Sequence, residues 1–368
     1  MRRYEVDSIR SIALLLLIAY HIVISFIVET KGIQFVVNPE GADDFTGLLI
    51  WFSQAINIWR LPILFLIAGM ALKFSSERRT IRKLLNERAI RILVPLLFCS
   101  IFIVPLQGLV FSRFYNQDFF WFPNPGYLWF LFSIFVYVIL ALPMVYIVKN
   151  KFDNLQFKFI KKTLKIPFGV LLIFAIPLMF LATVFNPESY AFFVWLPFFG
   201  IINPHGFFTG LACFILGFSF ALSGDLFWNS VRKIKYFTLI IAIGLFCQRS
   251  FLFMFPVFEG ITPAYPLIVN NVLTAFEASC WMITLTGFVS SYFNKSTKVL
   301  SYMTLAVYPM YIFHLPIQNF MASYIYPLSI APILKFFLII SATIFFSLVM
   351  FEIIKRIPKF RLFFGIKP

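Results

Sequence analysis

Arg10 and His21 lie eleven residues apart, the first at the head and the second inside a mostly apolar run that continues to about Val28. On an α-helix that spacing returns two side chains to within about 20° of one direction, separated by about 16 Å along the axis. Arginine binds phosphate through planar, bidentate, permanently charged contacts. Histidine, with an ordinary pKa of about 6.5, takes up and releases protons near neutrality. The pair therefore suits a cavity with an anion held at its mouth by Arg10 and a general base, His21, at its inner end. The plainer alternative for His21 is a packing residue with one hydrogen bond, and Arg10 on the same stripe weighs against it.

An ionisable group inside hydrocarbon is costly and for that reason marks a functional candidate. Five stand within apolar runs: His21, Arg60, Arg249, Glu277 and His314. Arg60 follows Gln54 and Asn57 at three-residue spacing, a polar stripe expected in mid-helix. There it would stabilise a developing oxyanion or orient His21. Arg249 and Glu277 are expected at similar depths on consecutive helices, either as a structural salt bridge or as substrate contacts. His314 and Trp129 are expected to be substrate-binding residues. Arg88 and Arg91 close the most basic stretch, 75–91, which serves orientation and anionic lipid on one reading and an anionic ligand on the other. No serine or cysteine has neighbours that mark it as an activated nucleophile. Cys99, Cys213, Cys247 and Cys280 show no paired spacing, so packing is expected rather than a disulfide framework or a metal site.

The elements that must hold these residues follow from composition. Of 368 residues, 61% are hydrophobic and 12% charged, against about 25% charged in an ordinary soluble domain. Continuously apolar runs of about 20 residues recur, which predicts helices rather than barrel strands. The expected spans are 12–28, 46–73, 92–112, 127–148, 167–185, 205–223, 237–255, 267–291, 300–327 and 331–353: an all-α, polytopic membrane protein of about ten helices in one domain, 1–368. With the N-terminus inside, 25 of the 31 basic residues fall on the cytoplasmic side, whereas Lys31 and Arg113 fall outside. This bias puts both termini in the cytoplasm. It also accounts for the net charge of +16 without nucleic acid, since no aromatic-interleaved basic patch is present. No small-residue cleavage site follows Val28, so the first run is not expected to be a signal peptide. Trp121, Trp129 and Trp195 are placed for an interfacial aromatic belt.

At these same residues the chain resembles the acyltransferase-3 family of membrane acyltransferases. Val6-Asp7-Ser8-Ile9-Arg10, followed by ten residues and His21, is similar to the family's Arg-x10-His signature. Trp59 to Gly69 resembles its second-helix segment, with Ala68 in place of serine. Arg88-Ala89-Ile90-Arg91, followed by Pro95, resembles its Arg-x-x-Arg motif. Tyr127-Leu128-Trp129-Phe130-Leu131 is similar to its His-Leu-Trp-Phe-Leu, with tyrosine in place of histidine. Tyr311-Ile312-Phe313-His314-Leu315-Pro316 resembles its Tyr-Leu-x-His-x-Pro segment. The five occur in the family's order. The two ends, Arg3 to Arg10 and Glu352 to Pro368, resemble members regarded as succinylating osmoregulated periplasmic glucans, whereas about 150–300 resembles the family poorly.

The resemblance implies a donor, an acyl-CoA in the cytoplasm (succinyl-CoA or acetyl-CoA), used as a substrate and not held as a cofactor. It implies a carbohydrate acceptor, a glucan or another polysaccharide, on the far side of a bacterial inner membrane. Arg10, Arg88 and Arg91 would bind the CoA phosphates, and His21 would act as general base on the acceptor hydroxyl. Succinyl transfer to a periplasmic glucan is the favoured expectation. O-acetylation of another surface polysaccharide, a transporter or flippase, and a structural partner in polysaccharide assembly are the alternatives. Neither of the last two would consume acyl-CoA.

Overall fold

A computed structural model describes residues 3–27, 35–150, 155–188, 203–254 and 266–366. Its elements are helices. In chain order they are α1 (Tyr4–Ile24), α2 (Asp44–Asn57), α3 (Arg60–Ser76), α4 (Ile81–Phe102), α5 (Pro105–Tyr115), α6 (Trp129–Leu140) and α7 (Leu142–Lys149). Then come α8 (Leu155–Thr163), α9 (Gly169–Phe185), α10 (Pro204–Ser223), α11 (Asp225–Met254), α12 (Leu267–Tyr292), α13 (Lys298–Ile325), α14 (Pro332–Arg356) and α15 (Pro358–Arg361). Arg2, Lys31, Lys151, Trp195 and Lys367 lie outside the described residues.

Within the described residues each expected apolar run coincides with helix over most of its length (the run ends at Val28 and Phe255 lie outside them), but three of the runs are divided. The run 46–73 is α2 and α3, 92–112 is parts of α4 and α5, and 127–148 is α6 and α7. Proline explains each division. Pro62, Pro105 and Pro143 fall within the first three residues of the second helix, where their missing N–H groups leave the preceding turn unbonded. The bend from Gly126–Leu140 to Leu142–Lys149 is 44°. Arg60 consequently opens α3 instead of sitting in mid-helix.

Among the described residues six helical stretches are long and apolar enough to cross a membrane, or seven if the bent pair counts as one span. α9 is apolar but only 17 residues long. α11 and α13, at 30 and 28 residues, have the length but are not among the six. The protein is thus polytopic, and its elements among the described residues are all helical. Large apolar side chains point outward, as a lipid-facing surface requires: Leu97, Phe180, Ile240 and Phe345 are 63%, 64%, 71% and 61% exposed.

The chain divides into two compact units. The first comprises Met1–Arg10, Asn57–Leu85 and Val136–Thr297; the second comprises Ser11–Ile56, Asn86–Phe135 and Lys298–Pro368.

In the first unit α3 and α10 cross with their backbones touching. A Cβ on Gly69 would lie 1.9 Å from the Phe214 carbonyl oxygen, and one on Gly217 would lie 1.9 Å from that of Leu66. Only glycine permits this approach, the usual device for close helix packing in lipid. α11 and α12 pair through the hydroxyls of Thr238 and Thr284, 2.9 Å apart. Near one end of that pair the Lys235 ammonium donates to Ser291 Oγ at 2.6 Å, beneath the rings of Tyr236, Phe288 and Tyr292.

In the second unit α13 and α14 form an antiparallel hairpin. Met310, Ala306, Ile339 and Phe351 share a core with Leu14, Leu17, Ile18 and Ile22 of α1. A second core gathers Ile92, Leu96 and Cys99 of α4 with Tyr127, Leu128, Ile312 and Leu315. Residues 35–38 lie buried as a strap across this unit. Its N–H groups are taken in turn by Asn319 Oδ1 (Val36, 3.0 Å), the Tyr115 hydroxyl (Val37, 3.0 Å) and the Ser25 carbonyl (Asn38, 2.9 Å). Lys335, wholly buried, reaches the Tyr326 carbonyl at 2.9 Å, Glu40 at 2.5 Å and Asn38 at 3.5 Å, and so anchors the end of the strap.

Candidate active site

The second unit brings His21 of α1 and His314 of α13 together, with His21 Nδ1 3.1 Å from His314 Nε2 and the rings within 14° of parallel. The positions of the protons follow from the partners. The Tyr311 carbonyl can only accept, so His314 Nδ1, 2.6 Å away, carries the hydrogen. In the neutral ring Nε2 then holds the lone pair, and His21 Nδ1 must donate to it. That makes Nε2 the basic nitrogen of neutral His21. His314 is fully buried and His21 only partly, so of the two rings His21 is the more accessible. Phe35 of the strap packs on His21, ring centroids 5.6 Å apart.

Why α13 can present His314 this way is legible in its sequence. Pro316 has no N–H, and its ring crowds the carbonyl four residues earlier, that of Ile312. In hydrocarbon an unbonded carbonyl is costly. Here the Tyr127 hydroxyl donates to it from outside the helix. In return the Tyr311 hydroxyl donates to the Tyr127 carbonyl at 2.6 Å. The Tyr127 ring meets His314 edge-on at 5.6 Å, and that of Tyr311 lies nearly parallel to it at 5.8 Å.

The same device recurs at the basic motif. Pro95 inside α4 deprives the Arg91 carbonyl of its helical donor, and the Tyr308 hydroxyl supplies one at 3.0 Å. The Arg91 guanidinium lies 3.5 Å from the Gly365 carbonyl, in the C-terminal turn whose Phe363 and Phe364 pack on Phe98. Arg88, one turn earlier, shares the Arg91 face of α4 and is partly exposed. Both arginines belong to the second unit, as does Trp129, which is only 7% exposed and so not part of an exposed belt; Trp121 is 47% exposed.

The first unit holds Arg10, Arg60, Arg249 and Glu277. α1 runs unbroken from Tyr4 to Ile24, so Arg10 and His21 keep the helical spacing expected of them. Arg10 lies 3.9 Å from Asp7 and stays partly exposed. Arg60 is buried, and one of its Nη groups donates to Asn57 Oδ1 at 3.3 Å. Arg249 and Glu277 form two parallel N–H···O contacts of 2.7 and 3.0 Å, and Trp281 Nε1 adds a third donor to Glu277 at 3.1 Å.

Sequence reasoning passes over Tyr127, Tyr308 and Lys335 as partners of this arrangement. The signals were the prolines at 95 and 316, each of which demands a foreign donor, and a lysine in the first turn of a helix whose other charges lie at its far end.

A polytopic protein, helical throughout its described residues, with a stacked histidine pair and a basic helix is the class these observations define. The chain belongs to the acyltransferase-3 family: the matching family model, described as an acyltransferase domain, covers residues 3–352. The protein is therefore a membrane acyltransferase. No curated protein and no solved structure matches the chain.

Proposed function

We propose that this acyltransferase moves an acyl group, preferentially succinyl, from cytoplasmic acyl-CoA to a hydroxyl of a glucan on the outer side of a bacterial inner membrane. The observation that carries the chemistry is the direction of the His21–His314 hydrogen bond, which makes His21 Nε2 a base. His21 takes the proton from the acceptor hydroxyl as its oxygen attacks the thioester carbonyl. The carbon–sulfur bond then breaks and the proton leaves with the CoA thiolate. His314 accepts from His21 Nδ1 throughout and supports the transient imidazolium. General-base action of this kind contributes about 10²–10⁴-fold.

Arg88 and Arg91, one turn apart, suit a phosphate, and Arg10 keeps the same role on its own helix. Burial of Arg60 favours a part in charge stabilisation inside the protein over one at its surface. The closed, saturated Arg249–Glu277 pair favours a structural ion pair over a substrate subsite. Ten crossings with both termini cytoplasmic remain the topology that the distribution of basic residues supports. Succinyl rests on the likeness of the two ends of the chain, and O-acetylation of another polysaccharide is the competing reading.

The test is thiol release from succinyl-CoA and acetyl-CoA by the full chain in lipid, with a glucan acceptor, beside His21→Ala. Acceptor-dependent release that disappears in His21→Ala is expected, and a product that gains negative charge assigns succinyl. Acyl-CoA that neither binds nor turns over would favour transport instead.

A further inference from the structure

We infer that Tyr127 is a positioning residue for the histidine pair: its hydroxyl holds open the proline-interrupted turn of α13 from which His314 projects. The inference rests on the general-base reading above and adds a residue to it. Tyr127 is 5% exposed, and its hydroxyl has the Ile312 carbonyl as acceptor. That carbonyl is the one Pro316 cannot bond. Two residues away in the sequence, His314 Nδ1 donates to the carbonyl of Tyr311, the neighbour of Ile312. Two adjacent carbonyls of this turn thus have side-chain donors: Tyr127 gives to that of Ile312, and His314 to that of Tyr311.

The bond from the Tyr311 hydroxyl back to the Tyr127 carbonyl makes the tie reciprocal, so the Tyr127 ring cannot drift from the His314 edge it contacts. Without the Tyr127 hydroxyl, the Ile312 carbonyl would lose its side-chain donor and would compete with that of Tyr311 for His314 Nδ1. A ring drawn to Ile312 would turn Nε2 away from His21. Tyr127 touches no reacting atom; it acts through His314.

The experiment is a cycle of Tyr127→Phe and Pro316→Ala in the full chain in lipid, read by kinetics and by ¹⁵N resonances of the histidine rings. Tyr127→Phe should lower kcat on the order of 10–100-fold with KM for acyl-CoA unchanged, the scale of a small misplacement at a reacting centre. It should also shift the His314 Nδ1 and Nε2 resonances. Pro316→Ala gives Ile312 a helical donor, so in that background Tyr127→Phe should cost less than about 3-fold, a non-additivity that neighbours sharing a partner show. Equal costs in both backgrounds, or unmoved histidine resonances in Tyr127→Phe, would overturn the inference. If His21→Ala keeps its rate, the general-base reading fails, while the resonances still decide the role of Tyr127.

Discussion

The imidazole of His314 gives its Nδ1 proton to the carbonyl of Tyr311, 2.6 Å away and three residues earlier in the same helix. This one bond fixes which nitrogen of His314 faces His21 and so fixes the polarity of the pair. Removing the ring while keeping the fold should therefore weaken the base without abolishing it. His314→Ala is expected to lower kcat about 10–100-fold, and His21→Ala about 10²–10⁴-fold, at similar KM for the donor. Steady-state kinetics of the two variants under one set of conditions checks the ordering. Equal losses would make the histidines equivalent.

Arg88 and Arg91 should govern donor binding and not the chemical step. Changing both to glutamine is expected to weaken acyl-CoA binding about 10–100-fold per lost charged contact, with membrane insertion unchanged. Calorimetric titration of the purified protein measures it. Tyr308→Phe, which strips the donor from the Arg91 carbonyl, should raise KM for acyl-CoA while leaving kcat near parent.

The Arg249–Glu277 pair predicts a stability effect. Glu277 is 1% exposed and receives donors from Arg249 and Trp281. Glu277→Ala strands a mostly buried guanidinium and should cost about 3–5 kcal/mol, whereas Arg249→Met combined with Glu277→Leu should recover much of it. Thermal unfolding in lipid separates the two. Activity per folded molecule should stay near parent in both.

Lys335 makes a similar prediction at the strap. Lys335→Met removes the donor to Glu40, Asn38 and the Tyr326 carbonyl at once. Because Glu40 is half exposed and can turn to water, the expected cost is the lower one of lost hydrogen bonds, about 1–3 kcal/mol. Hydrogen exchange at Val36 and Val37 should speed up, since those amides hold the strap in place.

At the start of α2, Asp43 accepts from the Thr46 hydroxyl at 2.7 Å and from its N–H at 2.8 Å. These bonds hold its carboxyl below the ordinary value of 3.8. A depressed folded-state value stabilises the helix end above pH 3.8, and that contribution fades as pH falls through the folded value. Asp43→Asn should thus reduce amide protection at Thr46 near neutrality, with the difference from parent closing below pH 3.8.

Much of this architecture is legible in the sequence because lipid makes strong demands. Apolar runs had to be helices, and the eleven-residue spacing of Arg10 and His21 had to place them on one helix. Arg249 and Glu277 were legible as a pair because neither could sit alone in hydrocarbon. The breaks at Pro62, Pro105 and Pro143 were less so, since a proline near a helix start and one inside a helix look alike until the neighbouring turn is seen. Arg60 was misjudged for that reason. The meeting of His21 with His314 spans 293 positions, and no local pattern encodes such a distance. Nor does the sequence reveal that Tyr127 and Tyr308 answer Pro316 and Pro95, because a hydroxyl carries no mark of the carbonyl it will find.

The Tyr127 hydroxyl and the Ile312 carbonyl are 185 residues apart, and at roughly 5–20 residues per second about 10–40 s separates their emergence from the ribosome. α13 is therefore made with a defect it cannot mend alone, while its remedy has already been made and waits in an earlier segment. A helix that is incomplete until it docks has a built-in reason to seek one partner over all others. The proline thus acts as a key cut late in synthesis for a lock fitted early, and assembly of this half of the protein is timed by the order of the chain.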